Sequence, residues 1–177
     1  MKRSVSLLGR GLFAATLLLA ATATAQADKV PSRPQYKIEN NELKVPGQVV
    51  FQTASDKLSP ESDAVLEFVR GYLADKSYIT LRVEGHSDSD GNASANQTLT
   101  EKRALSVARW LVAHGIDCKR VIPVGFGGTK PIAANDSPTN KALNRRVAFV
   151  NAALRGIAIG GMSPDGGGKL AGDPCAK

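Results

Sequence analysis

Residues 85–107 read GHSDSDGNASANQTLTEKRALSV, and the two halves of this stretch follow different rules. Ahead of it, Ile79, Leu81 and Val83 alternate with Thr80, Arg82 and Glu84, the mark of a strand with one buried face. An acidic turn rich in Gly, Asn and Ser follows, and helical spacing takes over after it. Asp88 sits in the turn. Asn96, Thr100 and Arg103 then share one helical face, because steps of four and three residues return to nearly the same azimuth. A strand–turn–helix unit therefore carries one carboxylate and one guanidinium at its mouth. An ionised Asp only accepts hydrogen bonds, whereas Arg offers a planar fork of donors. A carbon bearing both an ammonium and a carboxylate would satisfy the two together. The competing reading is a plain Asp88–Arg103 salt bridge that caps the helix, and composition alone favours that one.

Outward from this unit the chain keeps the same grammar. Val49–Phe51 is expected as a short strand. Ser59-Pro60-Glu61 starts a helix, with Ser as N-cap, Pro at the first position and an acid in the first turn. Val65, Leu66, Val69 and Leu73 continue it at helical spacing. The second helix runs to about His114 with Ala104, Val107, Ala108 and Leu111 as its apolar stripe, and Gly115 stops it. A strand is expected over Val121–Phe126, a short helical turn over Thr139–Leu143, and a last strand from Arg145 to about Ala153. The pattern is α/β, with two long helices covering one face of a small sheet.

These residues resemble the OmpA C-terminal domain family, the OmpA, Pal and MotB type of peptidoglycan-binding module found in Gram-negative envelopes. The family pattern GHTD-x-x-G, then N-x-x-L-S-x-x-R-A-x-x-V, is met by Gly85, His86, Asp88, Gly91, Asn96, Leu99, Arg103, Ala104 and Val107. Ser87 and Thr100 are hydroxyl-for-hydroxyl replacements. Upstream, Phe51, Ser55, Leu58 and Pro60 match the opening F-x-x-x-S-x-x-L-x-P. Downstream, Gly115-Ile116, Gly125-Phe126-Gly127, Lys130-Pro131-Ile132, Asn135 and Asn144-Arg145-Arg146-Val147 stay in register. The similarity runs from about Val49 to Val150. One departure lies at Asn140 and Lys141, where the family usually has Gly-Arg.

The resemblance implies a two-layer α/β sandwich with a mixed four-stranded sheet and both long helices on one face. It also implies non-catalytic binding of peptidoglycan stem peptides through diaminopimelate, without a cofactor. Asp88 would take the ammonium and Arg103 the carboxylate. Asn96 would brace the turn with some share in the ligand, and Leu99 would pack at the pocket wall. Of Arg145 and Arg146, alternation along a regular strand sends one to each face, so at most one would reach the pocket unless the strand start is irregular. The other would satisfy carbonyls. Outer-membrane or other envelope proteins are further partners of the kind the resemblance allows.

The ends of the chain fit export. Lys2, Arg3 and Arg10 precede a short apolar run, Gly11–Ala21, and Ala23-Thr24-Ala25 offers a small-x-small cleavage site, so residues 1–25 read as a signal peptide. An uncleaved anchor is the alternative, although the run is about half the roughly 20 residues of a spanning helix. Three of the 23 basic residues and none of the 16 acids lie in this segment, so the remainder carries 20 against 16, or +4. That excess is mild and dispersed, and aromatic residues are scarce, which argues against nucleic acid as a partner. It suits an anionic wall polymer or a simply solvated surface.

Residues 26–47 form a linker with a small hairpin about Asn40-Asn41, and residues 48–155 form the domain. From Gly156 onward there are seven glycines in 22 residues, too many to bury a core of their own. This tail carries Cys175, and the other cysteine is Cys118. In an exported chain the two are expected to be joined, pinning the tail to the domain, with intermolecular pairing or free thiols as the alternatives.

Other chemistries fail on spacing. Asp88-Ser89-Asp90-Gly91-Asn92 imitates a calcium loop, but Ala93 and Leu99 stand where its Gly and Glu belong. Gly125–Lys130 lacks the Walker spacing and the following hydroxyl. His86, Ser87 and Asp88 are adjacent in sequence, which is not how a triad meets in space. Two histidines and two distant cysteines make no zinc set. The functions left in competition are a wall-binding periplasmic module, a wall-acting hydrolase on the same scaffold, and a stator-like protein with a retained N-terminal anchor.

Overall fold

The computed structural model describes residues 35–176. The expected signal peptide and residues 26–34 of the expected linker lie outside the described residues. Lys37–Glu39 (β1) and Glu42–Lys44 (β2) form a hairpin. Its turn residues Asn40 and Asn41 hold φ of 50° and 66°, a left-handed pair that Asn tolerates better than most side chains. Helix α1 covers Asp63–Asp75, entered through a 3-10 turn with Pro60 at its first position. Strand β3 is Ile79–Gly85, helix α2 Ala93–Ala113, strand β4 Val121–Gly125 and helix α3 Pro138–Asn144. Strand β5 is Val147–Leu154, and two short strands follow, Ile157–Ala158 (β6) and Lys169–Leu170 (β7).

The sheet is mixed, in the order β1-β2-β5-β3-β4-β7, with β6 pairing β5. β3 runs parallel to β4 and antiparallel to β5. Helices α1 and α2 bring Leu66, Val69, Leu73, Ala104, Val107 and Leu111 onto Leu81, Val83 and Phe149, all fully buried. Each such large aliphatic or aromatic side chain contributes roughly 1.5–3 kcal/mol by leaving water. Gly85 and Gly125 are partners at the site end of β3 and β4. Neither has room for a Cβ, because the backbone of Thr100 and Glu101 lies on them. That close approach seats α2 on the strand ends.

Several expectations need correction. Val49–Phe51 is not a strand of the sheet. Val50 spends its N–H and C=O on the buried Ser62 hydroxyl, and its carbonyl also accepts from Ser59 N, leaving one isolated bridge from Phe51 to Leu58. The place beside β5 goes instead to β2, whose Leu43 lies in the core, so the hairpin belongs to the folded unit. β3 is buried on both faces, Arg82 and Glu84 included. The glycine-rich tail is the reason. β7 pairs with β4, Arg82 Nη1 donates to Pro164 O at 3.0 Å, and Cys118 is bonded to Cys175 with Cα atoms 5.2 Å apart.

Candidate binding site at the strand ends

The turn after β3 is braced from both sides. Asp88 Oδ1 accepts from Asp90 N at 3.1 Å, an Asx turn. Asn96 Nδ2 donates to Asp90 O at 2.6 Å, and Asn92 caps α2 by accepting from Ala95 N at 3.0 Å. Across the turn, Asn144 is fully buried. It accepts from Ile132 N and Ala133 N and donates to Ala133 O and Asn135 Oδ1, so its amide is spent on holding the 130–135 loop. Asn135 Oδ1 in turn accepts from Ser89 N at 3.2 Å.

Asp88 is buried, and its partner is Arg145, with Nη1 to Oδ2 at 2.5 Å. Burial opposes ionisation of Asp88, but the Arg145 hydrogen bond, the Asp90 amide, and the charges of Arg145 and Lys141 outweigh it. The carboxyl is held below its ordinary value. Lys141 sits one turn before Arg145 and pairs with Asp90 at 2.8 Å. The short α3 and the residue that follows it thus present two cations to the acidic turn.

The plain Asp88–Arg103 salt bridge weighed from the sequence does not form. Arg103 donates Nε to Ser55 O at 3.0 Å and lies over the Phe51 ring, 4.8 Å from its centroid. Among the described residues no carboxylate forms a salt bridge with it, and Nη1 and Nη2 of its fork make no hydrogen bond. Burial lowers its pKa, nearby Asp56 opposes this, and Arg145 adds to the lowering. An entering carboxylate would relieve the repulsion between the two guanidinium groups.

Arg103, Arg145 and Arg146 line one cavity of about 210 Å³, with Phe51, Gly85 and Val147 among its other walls. Both consecutive arginines reach it because β5 begins at Val147, after an irregular step. Arg145 has φ −76° and ψ 81°, outside strand geometry, so alternation does not apply to the pair. Arg146 also makes long contacts, 3.3–3.4 Å, to the carbonyls of Lys130 and Asn144. Asp88 and Asn96 line an adjacent concavity on the other side of the turn, with Gln97, Gly127 and Gly128. Leu99 lies apart from both, in a shallow depression with Thr98 and Lys102. His86 is buried beneath the site, its ring stacked on Phe126 and its Nε2 3.1 Å from Glu84.

Sequence spacing does not single out the Asn135–Asn144 brace, the Lys141–Asp90 pair or the Ser55–Arg103 contact. Ser55, Asn135 and Asn144 stood in the family pattern, and Lys141 stood out as a departure from it, but their partners are remote in the chain. Among the described residues no group of His, Cys, Asp and Glu side chains could hold a metal ion.

Fold and site together define an α/β sandwich module with a cationic concavity and one buried turn carboxylate, Asp88, at its strand ends. The chain belongs to the OmpA family, whose pattern matches residues 50–145. It is 36% identical over 109 residues to "Probable lipoprotein YiaD" of Escherichia coli K12, covering 62% of this chain and 50% of that protein. The chain therefore spans half the length of that relative. The crystal structure of the peptidoglycan-associated lipoprotein from Burkholderia pseudomallei is 28% identical with a TM-score of 0.55, covering 60% of this chain and 89% of that one. The cell wall anchor of the T6SS from Pseudomonas aeruginosa is 32% identical with a TM-score of 0.53, covering 59% and 76%.

Proposed function

We propose that the chain is a periplasmic, non-catalytic module that binds peptidoglycan by gripping the diaminopimelate centre of stem peptides. The observation that carries this reading is the open Arg103 fork beside Arg145, itself bonded to Asp88. Arg103 takes the ligand carboxylate two-pronged. Asp88, ionised and oriented by Arg145, offers a second lone-pair direction to the ligand ammonium. The family membership supports the reading, as do solved relatives described as a peptidoglycan-associated lipoprotein and a cell wall anchor. Charge-assisted contacts are worth about 1.5–3 kcal/mol each, so one stem binds modestly and the many stems of the wall add avidity. Titration of the purified protein with stem peptides containing diaminopimelate or lysine tests the reading. Diaminopimelate should bind at least about tenfold tighter, one charge-assisted contact's worth. Equal affinity would place the ligand elsewhere, and release of soluble muropeptides from sacculi would make the protein an enzyme.

A further inference from the structure

The tail beyond residue 155 lies outside the residues matched by the family, yet it is built tightly into the fold. Gly166 lies against the Arg82 guanidinium and Gly168 against Val124 and Phe126, with no room for a Cβ at either. Ala171 N donates to Pro123 O at 3.0 Å, Lys169 pairs with Glu101 at 3.1 Å, and the Cys118–Cys175 bond closes the far end. One contact leads from this strap towards the cavity. Lys130 Nζ donates to Gly166 O at 3.0 Å and lies 3.9 Å from the Phe126 ring centroid. The carbonyl of the same Lys130 receives the Arg146 guanidinium. Around Lys130 the loop is fixed to the site turn, since Ser87 N donates to Gly127 O at 2.8 Å and Gly127 N to Thr100 Oγ1 at 3.0 Å.

We propose that the disulfide-tethered tail positions the ligand cavity, with Lys130 as the positioning residue that couples Gly166 to Arg146. The strap holds the Lys130 side chain, so the Lys130 carbonyl stays where it aims Arg146 into the cavity. Arg82, Glu84 and His86 form a buried line beneath the strap, linked at 2.6 and 3.1 Å, which keeps the underlying strand from shifting. The inference rests on the ligand reading above, but it makes its own structural claim about the 126–130 loop.

The test compares wild type with the Cys118→Ser/Cys175→Ser pair, Lys130→Met and Lys130→Arg, at a temperature where circular dichroism shows all four folded. Affinity for a diaminopimelate-containing stem peptide should fall about three- to tenfold in the double Ser variant and in Lys130→Met, the loss of one oriented hydrogen bond. Lys130→Arg, which can still donate to Gly166 O, should restore most of it. Amide exchange at Gly127 and Thr129 should quicken in the double Ser variant. Wild-type affinity in both Lys130→Met and the double Ser variant would overturn the inference and leave the tail a stabiliser only. If oxidised wild type binds no stem peptide, the ligand reading falls, and exchange decides the positioning claim. Unchanged protection at Gly127 and Thr129 without the disulfide would then overturn it, and lost protection would uphold it.

Discussion

Asp88 and Arg103 were legible as a pair of opposite charges, but their connection was not. Period and motif place residues on faces, whereas the partner of Asp88 comes from Arg145, far along the chain and on an irregular step that alternation misreads. Asp88→Ala should weaken binding of diaminopimelate stem peptides by about tenfold or more while lowering the melting temperature by only a few degrees. Its ion pair with Arg145 has one half-exposed partner, so it contributes about 1 kcal/mol or less. Arg103→Lys should weaken binding as well, because an ammonium cannot make the two-pronged contact. Isothermal titration and differential scanning calorimetry on the same samples separate the two effects. Because Asp88 is held below its ordinary 3.8, the stability it contributes is complete above that pH and is lost only as the pH falls through its depressed value. Binding that needs its charge should therefore survive mild acid.

At the scale of elements, the two long helices and the central strands were readable because their periods extend over many residues. What escaped was decided by single hydrogen bonds. Val49–Phe51 has the composition of a strand, but the Ser62 hydroxyl takes both backbone groups of Val50. Asn144, which stands just ahead of the expected last strand, ends α3, and its side chain is the hub of the 130–135 loop. Its four hydrogen bonds make a clear forecast. Asn144→Ala leaves buried amide and carbonyl groups unpaired and should cost about 2–4 kcal/mol in urea unfolding. The same change should loosen α3 and with it both cations that face the acidic turn.

For the molecule as a whole, the glycine count of the tail suggested a segment unable to fold alone, and that remains its physics. It orders by lying on the face of β3 that period-two alternation assigns to solvent. Closing 57 residues with the Cys118–Cys175 bond contributes roughly 4 kcal/mol on the chain-entropy model. Reduction should therefore lower the urea midpoint without changing the secondary structure at rest. The covered face also carries an acid sensitivity. Burial depresses the pKa of His86, the hydrogen bond and charge of Glu84 oppose this, and Arg146 and Lys130 reinforce it. The stability tied to its neutral ring is complete above pH 6.5 and declines as the pH falls from there towards the depressed value. Thermal melts from pH 7.5 to 5 should show the fall in wild type, and a smaller one in His86→Phe.

The last strand has one more consequence, for crowding. Without β7, β4 would end the sheet with the apolar run Val-Ile-Pro-Val-Gly and its backbone donors and acceptors open to any neighbouring chain. The opposite margin is already guarded, since β1 is short and carries Lys37 and Glu39. Two residues of β7, one of them Lys169, give the other margin the same protection. Under the proposed function, copies of the protein gather along a wall polymer, where a bare apolar margin would nucleate aggregates. Chains truncated after residue 162 should sediment as concentration-dependent oligomers in the ultracentrifuge, where the intact chain stays monodisperse through its tail.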